Sequence, residues 1–213
     1  MGGAQKDGLA SEKKSLHARE RDTDENRRRR EEFLAIIATI PPEKLKFFDE
    51  SGVTTSMTRT WGRAPKGERI AEATPQGHWR VLTTLAAMSL RGMEAAMTIE
   101  AATDGEIFTA YVEQVLCPIL QPGDVVVLDN LSAHKVAGVA EKVEACGAKL
   151  VYLPPYSPDL NPIEKAWSKF KQHLRKAKAR TAEALDQAVT EALRTITADN
   201  AQAWFRHCGH RTQ

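Results

Sequence analysis

The segment with "VVVLDN" at one end and "AKLVYLP" at the other leaves this chain few folding options. Four successive apolar residues, Val125 to Leu128, are bounded by the "QPGD" turn and by Asp129, the pattern of a short strand covered on both faces. "AKLVYLP" predicts a second buried strand. Between them Val136, Val139, Ala140 and Val143 recur at helical spacing from Lys135 to Cys146, and Gly147 stands where a helix is capped. Strand, helix of about three turns, strand is a parallel crossover. Both strands then end at one edge of the sheet, the edge where open α/β sheets place their ligands.

The rest of the chain fits around that unit. Phe33, Ile36, Ile37 and Ile40 sit at helical spacing before Pro41 and Pro42, and "KLKFFDE" predicts a short strand ending in Asp49 and Glu50. "SMTRTWGRAP", "HWRVLTTLAAMSL" and "MEAAMTIE" predict strands of a meander punctuated by Gly and Pro. "DGEIFTAYVEQVLCPIL" predicts a helix with Ile107, Tyr111, Val115 and Leu116 on one face. Helices are expected over about 162–179 and 181–196, with a shorter one ending near Phe205. Residues 1–32 are too polar to build a core and form a charged N-terminal arm. Residues 33–213 form one α/β domain, a size and a 42% hydrophobic content sufficient for a sizeable core.

Charge is informative only locally. The formal net charge is +2, yet Lys165 to Ala182 carries seven Lys or Arg and no acid. Such a block is either a solvated helix face or a surface for a polyanion. Three separated cysteines give no disulfide framework, and Cys208 beside His207 and His210 lacks a second ligand pair for zinc. There is no apolar leader and no apolar run of membrane-spanning length. A protein of the reducing, cytoplasmic compartment is expected.

Three acids converge on the ligand edge. Asp129 closes the "VVVL" strand, and the loop after the next strand leads straight to Glu164. If the "KLKFFDE" strand runs parallel to these two, Asp49 ends there too. Glu50 would point to the other face by strand alternation. Clustered carboxylates repel one another unless a cation lies among them, and hard oxygen donors without thiolate favour magnesium or manganese. The stretch "YLPPYSPDLNPIEKAW" delivers Glu164 through four prolines that restrict the loop. The same stretch also fits a simpler local signal, in which Asn161 is an N-cap, Pro162 the first helical residue and Glu164 the end of a capping box.

On the helix that follows, Ile163, Ala166, Trp167, Phe170 and Leu174 form the apolar stripe. Counting from Glu164, the same spacing gives Ser168, Lys171 and Arg175, with Lys178 one turn beyond. The glutamate shares its face with cations, either as ordinary helix-face pairing or as a phosphate track that also uses Lys169. Trp61, Arg63 and Lys66 lie in a turn of the meander and are candidates for further DNA contact or for an edge-strand surface. Asn130 and His134 stand behind the acids. His134 either orients a phosphate or water, or caps the helix starting near Lys135.

"FFDESGV", "VVVLDNLSAHK" and "LPPYSPDLNPIEKAWSKFK" resemble the three acidic motifs of the DDE transposases of the mariner superfamily, in its bacterial insertion-sequence branch. The 34 residues between Asp129 and Glu164 match that superfamily's spacing, and "WGRAPKGER" and "WFRHCGHR" extend the resemblance from about Lys13 to the C-terminus. The resemblance implies a ribonuclease-H-like fold, a mixed five-stranded sheet flanked by helices. It implies that Asp49, Asp129 and Glu164 are the catalytic metal ligands, holding two Mg2+ ions with Mn2+ as substitute. It implies hydrolysis at transposon ends, strand transfer into target DNA, and a homodimer on double-stranded DNA. Family members carry helix-turn-helix modules, for which the roughly forty preceding residues are too few. An upstream-encoded DNA-binding polypeptide is therefore an expected partner, and an inactive or domesticated DNA-binding remnant is the alternative. A phosphohydrolase using Asp129 as nucleophile would want an acid two residues on, where this chain has Leu131.

Overall fold

The computed structural model describes residues 17–210 except 76, 132, 133 and 135. Helix α1 (Asp24–Ile37) leads into strands β1 (Leu45–Thr54), β2 (Val81–Ser89) and β3 (Gly92–Ile99). Helix α2 (Gly105–Tyr111) runs on through a π turn and a short 3-10 turn to β4 (Val125–Leu128), α3 (Val139–Ala145) and β5 (Lys149–Tyr152). Helices α4 (Ile163–Ala177), α5 (Ala182–Arg194) and α6 (Ala198–His207) complete the described chain. The sheet order is β3-β2-β1-β4-β5. The first three strands pair antiparallel, and β1, β4 and β5 run parallel.

Alternation along β1 separates two cores. Phe47 faces α4–α6 with Val127, Phe170 and Phe205, whereas Phe48 faces α2 and α3 with Leu128, Phe108 and Val143. The α4 stripe expected from the sequence is buried in full, from Ile163 to Leu174. On the other side, Phe108 takes the place expected for Ile107. It is buried with Tyr111, Val112 and Leu116, and the π turn over Val112–Leu116 shifts the later positions by a residue.

Several expectations are corrected. β1 does not stop at Glu50 but continues to Thr54, paired all along with β2. "SMTRTWGRAP" forms no strand, because the Arg180 guanidinium takes the Thr55 and Met57 carbonyls at 2.8 and 3.0 Å and the Thr58 hydroxyl at 2.7 Å. Helix α3 begins at Val139, after Gly138 in the left-handed region, so the expected start near Lys135 gives way to an irregular approach, and Lys135 itself lies outside the described residues. β5 is the sheet's edge strand, and Lys149 and Tyr152 are exposed rather than buried. The boundary drawn between residues 32 and 33 falls inside α1, whose Phe33 and Ile37 enter the core while Ile36 is half exposed. Residues 1–16 of the arm lie outside the described residues.

Gly92 turns β2 into β3 at φ +118°, and a Cβ there would stand 2.9 Å from the Ile196 carbonyl oxygen. Both the dihedral and the close approach require glycine. Gly92→Ala is expected to destabilise the protein by about 1–3 kcal/mol, measured as a lowered urea midpoint with unchanged m-value.

Candidate active site

Pairing of β1 with β4 places Phe47 opposite Val127. Two residues further along each chain stand Asp49 and Asp129, on the same sheet face and at the same end. Asp49 is still within β1, paired with Ala86 on its other side, and Asp129 is the first residue beyond β4. Both are partly buried. The chain returns through β5 and the proline-rich loop, so Glu164, second residue of α4, comes to the same edge.

The capping box is not formed. Helix α4 has no side-chain cap; the Glu164 N–H donates to the Asn161 carbonyl at 3.3 Å, and the buried Asn161 Oδ1 has no partner among the described residues. A 3-10 turn over Pro158–Leu160 hands the chain into the helix instead. The Glu164 carboxylate is therefore left for other work.

Each aspartate is held by a buried ring. The Trp167 indole N–H donates to Asp49 Oδ2 at 3.1 Å, tying α4 to β1. Trp167 is core, as its spacing predicts, but it also aims a polar atom at the site. That second role was detectable, because a buried indole N–H needs an acceptor. His134 Nδ1 donates to Asp129 Oδ1 at 2.5 Å, and the Leu131 N–H donates to the same oxygen at 3.1 Å. The imidazole is fully buried, 4.5 Å from the Phe108 ring centroid and 5.3 Å from that of Phe48. His134 thus neither faces solvent nor caps α3, whose N-cap is Gly138 without a side-chain bond. Asn130 is exposed beside it. Glu50 is half-buried, and its Oε2 has no partner among the described residues.

The electrostatics register the convergence. Burial pushes the Asp49 carboxyl up to about 7, Glu164 and Asp129 add to the rise, and the Glu50 backbone N–H and the Trp167 indole only partly oppose it. Glu164 is exposed as a residue, but its carboxyl end is partly withdrawn from water. That desolvation raises its pKa, the Lys171 ammonium opposes the rise, and Asp129 adds to it. Among the described residues, no three His, Cys, Asp or Glu side chains are close enough together to hold a metal ion.

The cations predicted for DNA are divided. Lys171 lies within electrostatic reach of Glu164. Lys169 is occupied, donating at 2.6 Å to both the Thr195 carbonyl and Asn200 Oδ1. Lys178 pairs with Glu72. Arg175 lines a groove beside α4, and Arg63 and Lys66 are exposed on the long 55–80 connection. The free Cys208 is buried, and no helix among the described residues is long and apolar enough to cross a membrane.

Comparison with known proteins places this geometry. A solved pre-cleavage Mos1 transpososome superposes with a TM-score of 0.74 at 12% identity, covering 95% of this chain and 64% of that one. A mariner Mos1 paired-end complex with Mg gives 0.74 at 13%, over 95% and 65%. The Mos1 mariner transposase catalytic domain gives 0.61 at 11%, over 91% and 90%. The likeness is one of fold, the ribonuclease-H-like mixed sheet, and this chain spans just under two thirds of the chains in the assembled complexes. No curated protein matches the chain. The model of the DDE superfamily endonucleases matches residues 44–186, most of the chain and all three acids, and the chain belongs to that family.

Proposed function

We propose that this chain is the catalytic part of a transposase, which hydrolyses phosphodiester bonds at the ends of a mobile DNA element and transfers the freed 3′-hydroxyl into target DNA. The observation that carries this reading is the convergence of Asp49, Asp129 and Glu164 on one sheet edge, where burial raises the Asp49 carboxyl and the other two acids add to the rise. Residues 33–213 form the catalytic unit and residues 1–32 the arm that enters it through α1.

The donor set fits magnesium or manganese. It is all carboxylate oxygen; burial lifts Asp49 most, and the repulsion that Glu164 and Asp129 add is what a divalent cation would relieve. The chemistry supplied by a bound pair of such ions is activation of the attacking oxygen and stabilisation of the leaving one. The chain's own residues do the positioning. Trp167 fixes Asp49 against α4, His134 fixes Asp129 from the opposite core, and α4 carries Glu164 on a face shared with Lys171 and Arg175. That face runs a backbone-binding track up to the acids, with Arg63 and Lys66 as outlying contacts. The partners are double-stranded DNA, a second copy of the chain on paired ends, and an upstream-encoded polypeptide that reads those ends. The setting is the cytoplasm, on the nucleoid.

The absence of a closed ligand cluster among the described residues favours one second reading, a remnant that binds DNA without cutting it. Plasmid nicking separates the two. Metal-dependent nicking of supercoiled DNA, reduced at least about 100-fold in Asp129→Asn, is expected; equal rates in both proteins, or none in either once the element ends and the upstream polypeptide are supplied, would rule out cleavage by this site.

The pH dependence of stability checks the electrostatics directly. The Asp49 carboxyl rises from 3.8 to about 7 on folding, so its protonated form stabilises the metal-free fold. That contribution is complete below the unfolded pKa and is lost as pH rises through about 7. Metal-free Asp49→Asn should therefore exceed the wild type at about pH 8 by up to about 4 kcal/mol, the gap closing toward about pH 4. Urea unfolding at both pH values reads this. His134 is expected to act through Asp129. His134→Ala should weaken Mn2+ binding, measured by calorimetry, by about 10–100-fold. His134→Asn keeps a donor near the Nδ1 position and should restore part of the loss.

A further inference from the structure

Beside α4, on the flank away from its buried stripe, lies an open groove of about 550 Å³ lined by Arg59, Trp61, His173, Arg175 and Lys176 among others, and by no acid. Arg59, Arg175 and Lys176 have no ion-pair partner among the described residues. Trp61 forms one wall and is 89% exposed. An indole this open is unusual unless something covers it.

Its loop is not free to fold the ring away. Arg180 holds the start through the Thr55 and Met57 carbonyls and the Thr58 hydroxyl. Lys178 pairs with Glu72 at the far side. Across the neck, the chain at Gly62 passes so close that a Cβ would stand 2.7 Å from Ile70 Cδ1. The tryptophan is thus presented on an anchored loop, opposite a helix face that carries Lys169, Gln172, His173, Arg175 and Lys176.

Arg175 is the link between the groove and the face of α4 that carries Glu164. Arg175 belongs to the helical face that begins at Glu164, eleven residues earlier, or ~16 Å along the axis. Phosphates of one strand recur at ~3.4 Å along a duplex axis and more widely in an extended strand, so a strand lying along α4 with one phosphate at the acids has a nucleotide a few positions away in the groove. Flat aromatic wall, cationic rim and nucleotide-sized volume together match one ligand class.

We propose that this groove takes an unpaired nucleotide of the bound DNA strand, its base stacked on Trp61 and its flanking phosphates against Arg59, Arg175 and Lys176. The proposal rests on the DNA-processing reading above and adds that the strand is held open a fixed distance from the cleavage edge.

The test is fluorescence anisotropy of the full chain in EDTA, so that binding is read without cleavage. The probes are a labelled oligothymidylate, the same backbone with abasic sites, and a short blunt duplex. Trp61→Ala is expected to weaken oligothymidylate binding about ten-fold and to leave the abasic strand unchanged. Replacing Arg175 and Lys176 together by Ala should weaken both strands and flatten the salt dependence. Absent binding by the wild type, equal binding of oligothymidylate by Trp61→Ala and wild type, or equal loss on the abasic strand would overturn the proposal, and unaltered single-strand binding would assign the exposed indole to a protein partner. The two readings fail separately. Metal-dependent nicking with Trp61-independent binding sinks only the groove, whereas Trp61-dependent binding without nicking sinks only cleavage.

Discussion

Asp49 sits inside a strand, partly out of water, with two other carboxylates turned toward its end of the sheet and only an indole and a backbone amide beside it. The same sheet shows how this protein treats a buried acid that serves only the fold. Three residues earlier on β1, Lys46 is 2% exposed and lies 3.3 Å from Glu94 and 3.6 Å from Asp124. There burial raises the Glu94 carboxyl, but Arg91 and Lys46 outweigh it and hold the group below its ordinary value. The acids near the start of the strand are paired with lysine and arginine; Asp49 in its middle has no cation against it. An uncompensated charge of this kind is costly to the apo fold, and the geometry around it is spent on holding the acids in place rather than relieving them.

That holding comes from both cores at once. Trp167 belongs to the α4 side and His134 to the α2–α3 side, and each reaches the edge with one ring nitrogen. The two aspartates, neighbours across β1 and β4, are therefore fixed from opposite faces of the sheet. Rotation of either carboxylate requires a packed ring to move, so side-chain freedom is removed before any ligand arrives.

Much of this was legible in the residues, and the failures have particular causes. The β4–α3–β5 crossover, the α4 stripe and the three acids follow from periodicity and from the rule that parallel strands end together. The capping box at Asn161 was a correct local pattern overridden by the 3-10 turn at Pro158, which rotates the entry to α4. Where the strand around Trp61 was expected to begin, the Thr55 and Met57 carbonyls are instead taken by Arg180, more than a hundred residues away, a partner no local window contains. His134 and Asp129 are five residues apart, but whether they meet depends on a turn whose shape the sequence does not state. β5 looked buried because its apolar residues do pack, yet among the described residues no strand pairs with its outer edge.

The proline-rich loop brings these threads together. Four prolines limit its backbone, but proline restricts φ without choosing a position in space. Position comes from the two ends of the chain. Arg30 grips Asp159 with two nitrogens at 3.0 and 2.7 Å, and Arg21 adds a contact at 3.3 Å. From the far end, the buried His210 donates to the Leu160 carbonyl at 2.9 Å. Burial raises the Asp159 carboxyl, but the Arg30 guanidinium holds it below its ordinary value. Asp159 is still exposed, so the two-nitrogen grip serves to orient the loop rather than to add much stability. A charged N-terminal segment that looked peripheral therefore carries part of the site's precision. It locks the loop whose only route onward is through Pro162 to Glu164, and so fixes the third acid relative to the first two.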